Sequence, residues 1–252
     1  MSDFDRNVAA RGGFADRAAA VDAGLRAYML RVYNYMAAAV ALTGVVAYAT
    51  FNAAVVTDAS GKITALTPFG QTIFSGPLSI VLLLGTLGLV FFISFRINRL
   101  QYTTAMTLFM LYAALLGVTL SSIFLAYTGA SITRVFFISA ASFGALSLYG
   151  YTTQRDLSAM GSFLIMGLFG IIIASLVNIF LKSSGLDWAI SVIGVGVFAG
   201  LTAYDTQRIK EMYDSMDDDG TIGRKAIMGA LSLYLDFINL FLMLLRLVGD
   251  RR

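Results

Sequence analysis

Long apolar stretches broken by short polar ones dominate the chain, and their length decides the element type. A hydrocarbon core of about 30 Å is crossed by about 20 apolar residues in a helix. Seven windows approach that length, at residues 33–56, 78–95, 103–127, 135–151, 163–181, 188–204 and 227–248. They are solid rather than alternating, which favours helices over the strands of a β-barrel, since backbone groups in lipid must be satisfied within the segment. The pattern predicts an all-α polytopic membrane protein with seven transmembrane helices. Residues 33–252 form one membrane domain, because no loop is long enough for a second, and residues 1–32 form an N-terminal tail. That tail carries Asp3, Asp5, Asp16 and Asp22 and lacks the layout of a cleaved signal peptide. Its one structured candidate is Asp22 to Arg31, with Arg26 and Arg31 at the level of the lipid headgroups.

Composition agrees: of 252 residues, 58% are hydrophobic and only 13% charged, half the charged share of an ordinary globular domain. The net charge of +3 arises almost entirely between the apolar runs, so a nucleic-acid partner is not expected. Histidine and cysteine are both absent. Ser-His catalysis, thiolate chemistry, disulfides and His or Cys metal sites are therefore excluded, and any chemistry rests on carboxylates, Arg, Lys, Tyr or Ser.

Orientation follows from the cations. With the N-terminus inside, the inner segments hold twelve Lys and Arg and the outer ones six, which predicts a cytoplasmic N-terminus and an outer C-terminus. The basic end, Arg246, Arg251 and Arg252, is the feature that resists this topology, and it leaves open a last segment that dips in and returns.

Ionisable groups inside spans are costly and mark function by default. Asp236 sits nine residues into the last run, in Leu-Ser-Leu-Tyr-Leu-Asp-Phe-Ile-Asn-Leu-Phe from Leu231, and Asp205 sits at the inner end of the sixth, in Ala-Tyr-Asp-Thr-Gln-Arg from Ala203. The two runs are joined by a short inner loop and should pack antiparallel, bringing the carboxyls within a turn or two in depth. Two carboxylates in a low-dielectric site do not both ionise cheaply, so a pair sharing a proton titrates in coupled steps and serves as a pH switch in a chain without histidine. The alternative is that Asp205 caps a helix end in water while Asp236 bonds a nearby Ser or Asn. Arg96 and Arg99, at the inner end of the second run, are candidate partners for Asp205, and topological anchoring is their other role. Asn178 and Asn239 are candidate interhelical glue. Gly194, Gly196 and Gly200 form a small-residue stripe suited to close packing, and Asp217 to Asp219 form a solvated turn, lacking the alternating ligands and terminal Glu of an EF-hand.

The two aspartate segments together resemble the signature of the Bax inhibitor family, the transmembrane Bax-inhibitor-motif proteins, in a bacterial member. The resemblance covers all seven spans in number and spacing. It implies a fold with six helices surrounding the last, and a pH-sensitive calcium leak gated by two aspartates that correspond to Asp205 and Asp236. Calcium would be the transported ion, held by the same two carboxylates, and no cofactor is implied. It also implies an arginine near the inner end of the second helix that latches to the first aspartate, here Arg99 or Arg96, with an ungapped match anchored on Gly117 favouring Arg99. The expected location is the bacterial inner membrane, among membrane lipids, and the expected role is not enzymatic. A second class is a membrane interaction protein that modulates a membrane protease or another membrane partner. A third, an intramembrane aspartyl protease, fits poorly: such enzymes carry Gly-x-Gly-Asp, whereas Leu233-Tyr234-Leu235 precede Asp236, and the two prolines, Pro68 and Pro77, exclude a Pro-Ala-Leu element.

Overall fold

Capping and proline placement set where the helices start. Pro68 and Pro77 each open a helix at its first turn, where the missing N–H costs nothing. Thr67, Thr128, Ser183 and Asp218 are N-caps whose side-chain oxygens accept backbone N–H groups three residues on, as the orphan donors of a helix start require. The computed structural model describes residues 3–58 and 62–252, with side chains described from residue 21 onward. Its helices are α1 (Asp3–Ala54), α2 (Pro68–Phe74), α3 (Pro77–Arg96), α4 (Tyr102–Leu120), α5 (Ile123–Ala126), α6 (Gly129–Thr152), α7 (Ser158–Leu181), α8 (Ser184–Glu211) and α9 (Asp219–Val248). Among the described residues seven helices are long and apolar enough to cross a membrane, belonging to α1, α3, α4, α6, α7, α8 and α9. The chain is an all-α, multi-pass membrane protein.

Three local features differ from the sequence expectation. The first helix does not wait for residue 33. α1 is continuous from Asp3, and Tyr28, Met29 and Val32 are buried in the core. Arg26 and Arg31 dilute the hydropathy of this stretch and hide its apolar face, which packs Tyr28 against the Tyr213 ring at 5.5 Å. The loop after α1 contains a small antiparallel hairpin, β1 (Val55–Thr57) with β2 (Ile63–Leu66). Finally, α8 and α9 extend past their apolar runs. Asp218 caps α9, with hydrogen bonds from Thr221 holding its carboxyl below the usual carboxylate range, and Asp217 pairs with Lys225.

The last helix is the central one, with two-thirds of its apolar window buried against about a tenth for α3 and α7. It packs on α8, α1, α6 and α4, while α3 leans on α4 and α7 on α8. Its 30 residues span about 45 Å without a break. Beyond it, Asp250 O accepts from Thr128 N at 3.1 Å, Arg252 N donates to Ala126 O at 3.0 Å, and Arg251 lies 3.8 Å from Asp187 at the start of α8. The end of α9 thus meets the starts of α6 and α8, on the face opposite its own start. A complete crossing fits this arrangement and a dip-and-return segment does not. Arg26, Arg96, Arg155 and Lys225 mark the face where α9 starts, the basic face.

Close helix approach depends on glycine at α6–α8. A Cβ on Gly150 would run into the Ala203 carbonyl, a backbone neighbour that cannot rotate away. Gly150→Val is therefore expected to destabilise the fold by about 1–3 kcal/mol, read as a lower unfolding temperature in detergent. An unchanged temperature would show that the two helices separate freely. Of the predicted stripe, Gly194 faces Met243 and Gly200 faces Leu164, whereas Gly196 faces open space.

Candidate functional site

α8 and α9 form the most extensive helix pair of the fold and run antiparallel. Asp205 lies six residues before the end of α8, about 9 Å along the axis, and is half-buried. Asp236 lies near the middle of α9 and is 5% exposed. The two side chains come within hydrogen-bonding reach of each other, as their depths on consecutive helices predict. No group among the described residues bonds Asp236 Oδ2.

This carboxyl pair opens on a cavity of about 610 Å³ between α7, α8 and α9. The cavity exists because α7 rests on α8 rather than on α9, leaving one flank of the central helix unpacked. Ile165, Leu168 and Ile172 supply an apolar wall, Ser232 and Asn239 lie one turn either side of Asp236, and Arg208 and Arg246 provide the cations. Going along the cavity from the basic face, the order is guanidinium, paired carboxyls, amide, guanidinium. Asn239 Nδ2 donates to Leu235 O of its own helix at 2.8 Å, so its amide is anchored locally. Asn178 accepts from Ser183 N at 3.0 Å and closes the α7–α8 turn. Neither bonds across helices through these contacts.

The arginines do not arrange themselves as the resemblance implies. Arg96 ends α3 and Arg99 ends the 3-10 turn that follows. Among the described residues the ion pairs are Arg134–Asp250, Lys225–Asp217 and Arg251–Asp187, and neither Arg96 nor Arg99 joins a carboxylate. α3 packs on α4, and the turn that carries Arg99 packs on α3 and α9. The charge that acts on Asp205 is Arg208, three residues further along the same helix and so on the same face.

As a metal site the arrangement is sparse. No group of three or more carboxylates that could hold a metal occurs among the described residues, and calcium takes six to eight oxygens. Asp205 and Asp236, with the Ser232 hydroxyl and the Asn239 amide oxygen beside them, would leave most positions to water. That suits transient attraction of a hydrated cation better than tight capture.

Asp205, Thr206 and Gln207 serve three different neighbours. Asp205 faces α9. Thr206 bonds Ser147 Oγ on α6 at 2.9 Å, and Ser147 bonds the Tyr33 hydroxyl on α1 at 2.8 Å. Gln207 clamps the α6–α7 loop, accepting from Leu157 N at 2.8 Å and donating to Arg155 O at 2.8 Å. Two residues before Asp236, Tyr234 is fully buried and bonds Thr43 Oγ1 at 2.7 Å, with Phe109 and Tyr112 of α4 edge-on to its ring. Charge alone does not single out these hydroxyls in the sequence, although a Thr or Ser placed in an apolar run at the depth of an aspartate is the signal that finds them.

A helical bundle of seven membrane spans, with a carboxyl pair buried between the last two, defines the class. A family model described as "Inhibitor of apoptosis-promoting Bax1" matches residues 25–252, and the chain belongs to this family, the Bax inhibitor family. It is 50% identical over 232 residues to the inner membrane protein YbhL of Escherichia coli K12, covering 91% of this chain and 94% of that one. It is 52% identical over 231 residues to an uncharacterised protein of Rickettsia prowazekii, covering 92% of each. A protein of Caulobacter vibrioides is 44% identical across the full length of both chains.

Proposed function

We propose that this protein is a passive, pH-sensitive calcium leak pathway of the bacterial inner membrane, gated by Asp205 and Asp236. The observation that carries the reading is the meeting of two carboxyls from consecutive antiparallel spans beside a cavity that also holds two guanidiniums. Ionised, the pair attracts a cation into an otherwise apolar bundle; sharing a proton, it holds α8 to α9 and offers less charge. A leak needs attraction weak enough to permit exit, and the few protein oxygens at the pair supply that. No chemical step is required of any residue, so the role is not enzymatic. The membrane assignment draws on the name of the Escherichia coli relative.

Purified protein in liposomes loaded with a calcium indicator tests the reading. Calcium entry above that of protein-free vesicles is the expected result. Sealed vesicles across the pH range would overturn it, leaving a membrane interaction protein as the better account.

The orientation carries its own test. Twelve of the 18 cations lie in the N-terminal segment and at the basic face, which supports a cytoplasmic position for that face. Reporters fused to each end are expected to show Met1 inside and Arg252 outside. Both ends on one side would contradict a complete crossing by α9.

A further inference from the structure

α1 packs on α4 and α9, and α6 packs on α8 and α9, so the seam between α1 and α6 is closed by side chains rather than by helix on helix. Toward the basic face this seam opens into a crevice of about 520 Å³, lined by Arg26, Leu30, Tyr33, Phe143, Gly144 and Leu148 among others. Its walls are apolar, with two exceptions. The first is the Tyr33–Ser147 hydrogen bond on its floor. The second is Arg26, which is exposed and joins no ion pair among the described residues. A second cation stands nearby: Lys210 donates to Tyr151 O at 2.9 Å and lies 5.7 Å from the centre of that ring, which itself lines the crevice. A Cβ on Gly144 would meet nothing within 4 Å, so the space beside it is free.

The other half of the same seam holds a crevice of about 330 Å³ walled by Phe136, Phe137, Phe237 and Phe241, with no charged residue in its lining. Apolar walls alone suit any lipid tail. Apolar walls ending in a free guanidinium, with an ammonium beside them, select the head as well, because basic pockets between membrane helices recruit anionic headgroups. A free inorganic anion would gain the charge contact and leave the crevice unfilled.

We propose that the crevice between α1 and α6 is a binding site for one anionic phospholipid, with an acyl chain along Leu30, Phe143 and Leu148 and the phosphate on Arg26. The lipid lies in the bilayer leaflet of the basic face.

Native mass spectrometry of the full chain in detergent tests this, with phosphatidylglycerol, phosphatidylethanolamine and inorganic phosphate as separate probes. One phosphatidylglycerol should be retained about fivefold more tightly than phosphatidylethanolamine, the preference that one cation near the headgroup supplies, and inorganic phosphate alone should not be retained. Arg26→Gln should remove that preference and Arg26→Lys should keep it. Gly144→Trp fills the crevice and should lose both lipids. Gly170→Trp, also in open space but on α7, should retain them and controls for added bulk. Retention of phosphatidylglycerol by Gly144→Trp, or an undiminished preference in Arg26→Gln, would overturn the proposal, as would indiscriminate binding of several lipids of either kind.

Discussion

Asp236→Asn and Asp205→Asn are each expected to abolish or displace the pH dependence of calcium flux, and the double substitution is expected to resemble either single one. Asn preserves shape, so the α8–α9 seam stays packed while the shared proton is lost. Coupled sites titrate as a unit, and removing either member removes the unit. The groups facing the pair from the surrounding helices are Arg208 on α8 and Ser232, Asn239 and Arg246 on α9, while α7 contributes apolar side chains and Ser175. No other Asp, Glu, Lys or Tyr lines this cavity, so the pair is its one carboxyl source of a pH dependence. Two independent solvated carboxylates would instead titrate near ~4 with additive effects. Flux from wild type and the three variants, recorded across pH, separates the cases. Unchanged profiles in both single variants would return Asp236 to a structural role.

Arg208→Gln is expected to raise basal leak several-fold more than Arg96→Ala or Arg99→Ala. Arg208 shares the cavity and the helix face of Asp205, and removing it takes a favourable charge away from a half-buried carboxyl, which weakens the hold between the helices. Arg96 and Arg99 do not line that cavity, so their loss should act on topology more than on the pair. The comparison is leak at one pH in liposomes carrying equal amounts of folded protein. A larger rise with Arg99→Ala than with Arg208→Gln would restore the latch that the family resemblance implies. Equal and negligible effects would make all three arginines anchors.

Periodicity and length in the sequence sufficed for the seven spans, because a helix in lipid declares itself by about 20 apolar residues in a row. Asp205 and Asp236 were legible for a related reason: a charge in such a run has few bland explanations. Their approach followed from a short connection between antiparallel neighbours. What stayed hidden depends on lateral packing, which hydropathy does not encode. That α3 leans on α4 rather than toward α8 is a matter of ridge and groove fit, and it leaves Arg208 rather than Arg99 in the cavity of Asp205. That α7 leaves a flank of α9 open created the cavity. The start of α1 was blurred by Arg26 and Arg31, whose long stems let a helix carry charge at a membrane boundary without ending. Tyr33, Thr43, Ser147 and Thr206 escaped notice because a hydroxyl in an apolar run bonds its own helix backbone as readily as another helix. Only the three-dimensional arrangement shows that Ser147 joins Tyr33 to Thr206.

The central claim is that Asp205 and Asp236 form a single titrating gate, and the pH profile of calcium flux through wild-type protein and Asp205→Asn/Asp236→Asn in liposomes tests it most directly. The account predicts a flux that changes with pH in the wild type and a pH dependence that is abolished or displaced in the double variant. A double variant that keeps the wild-type profile would contradict it.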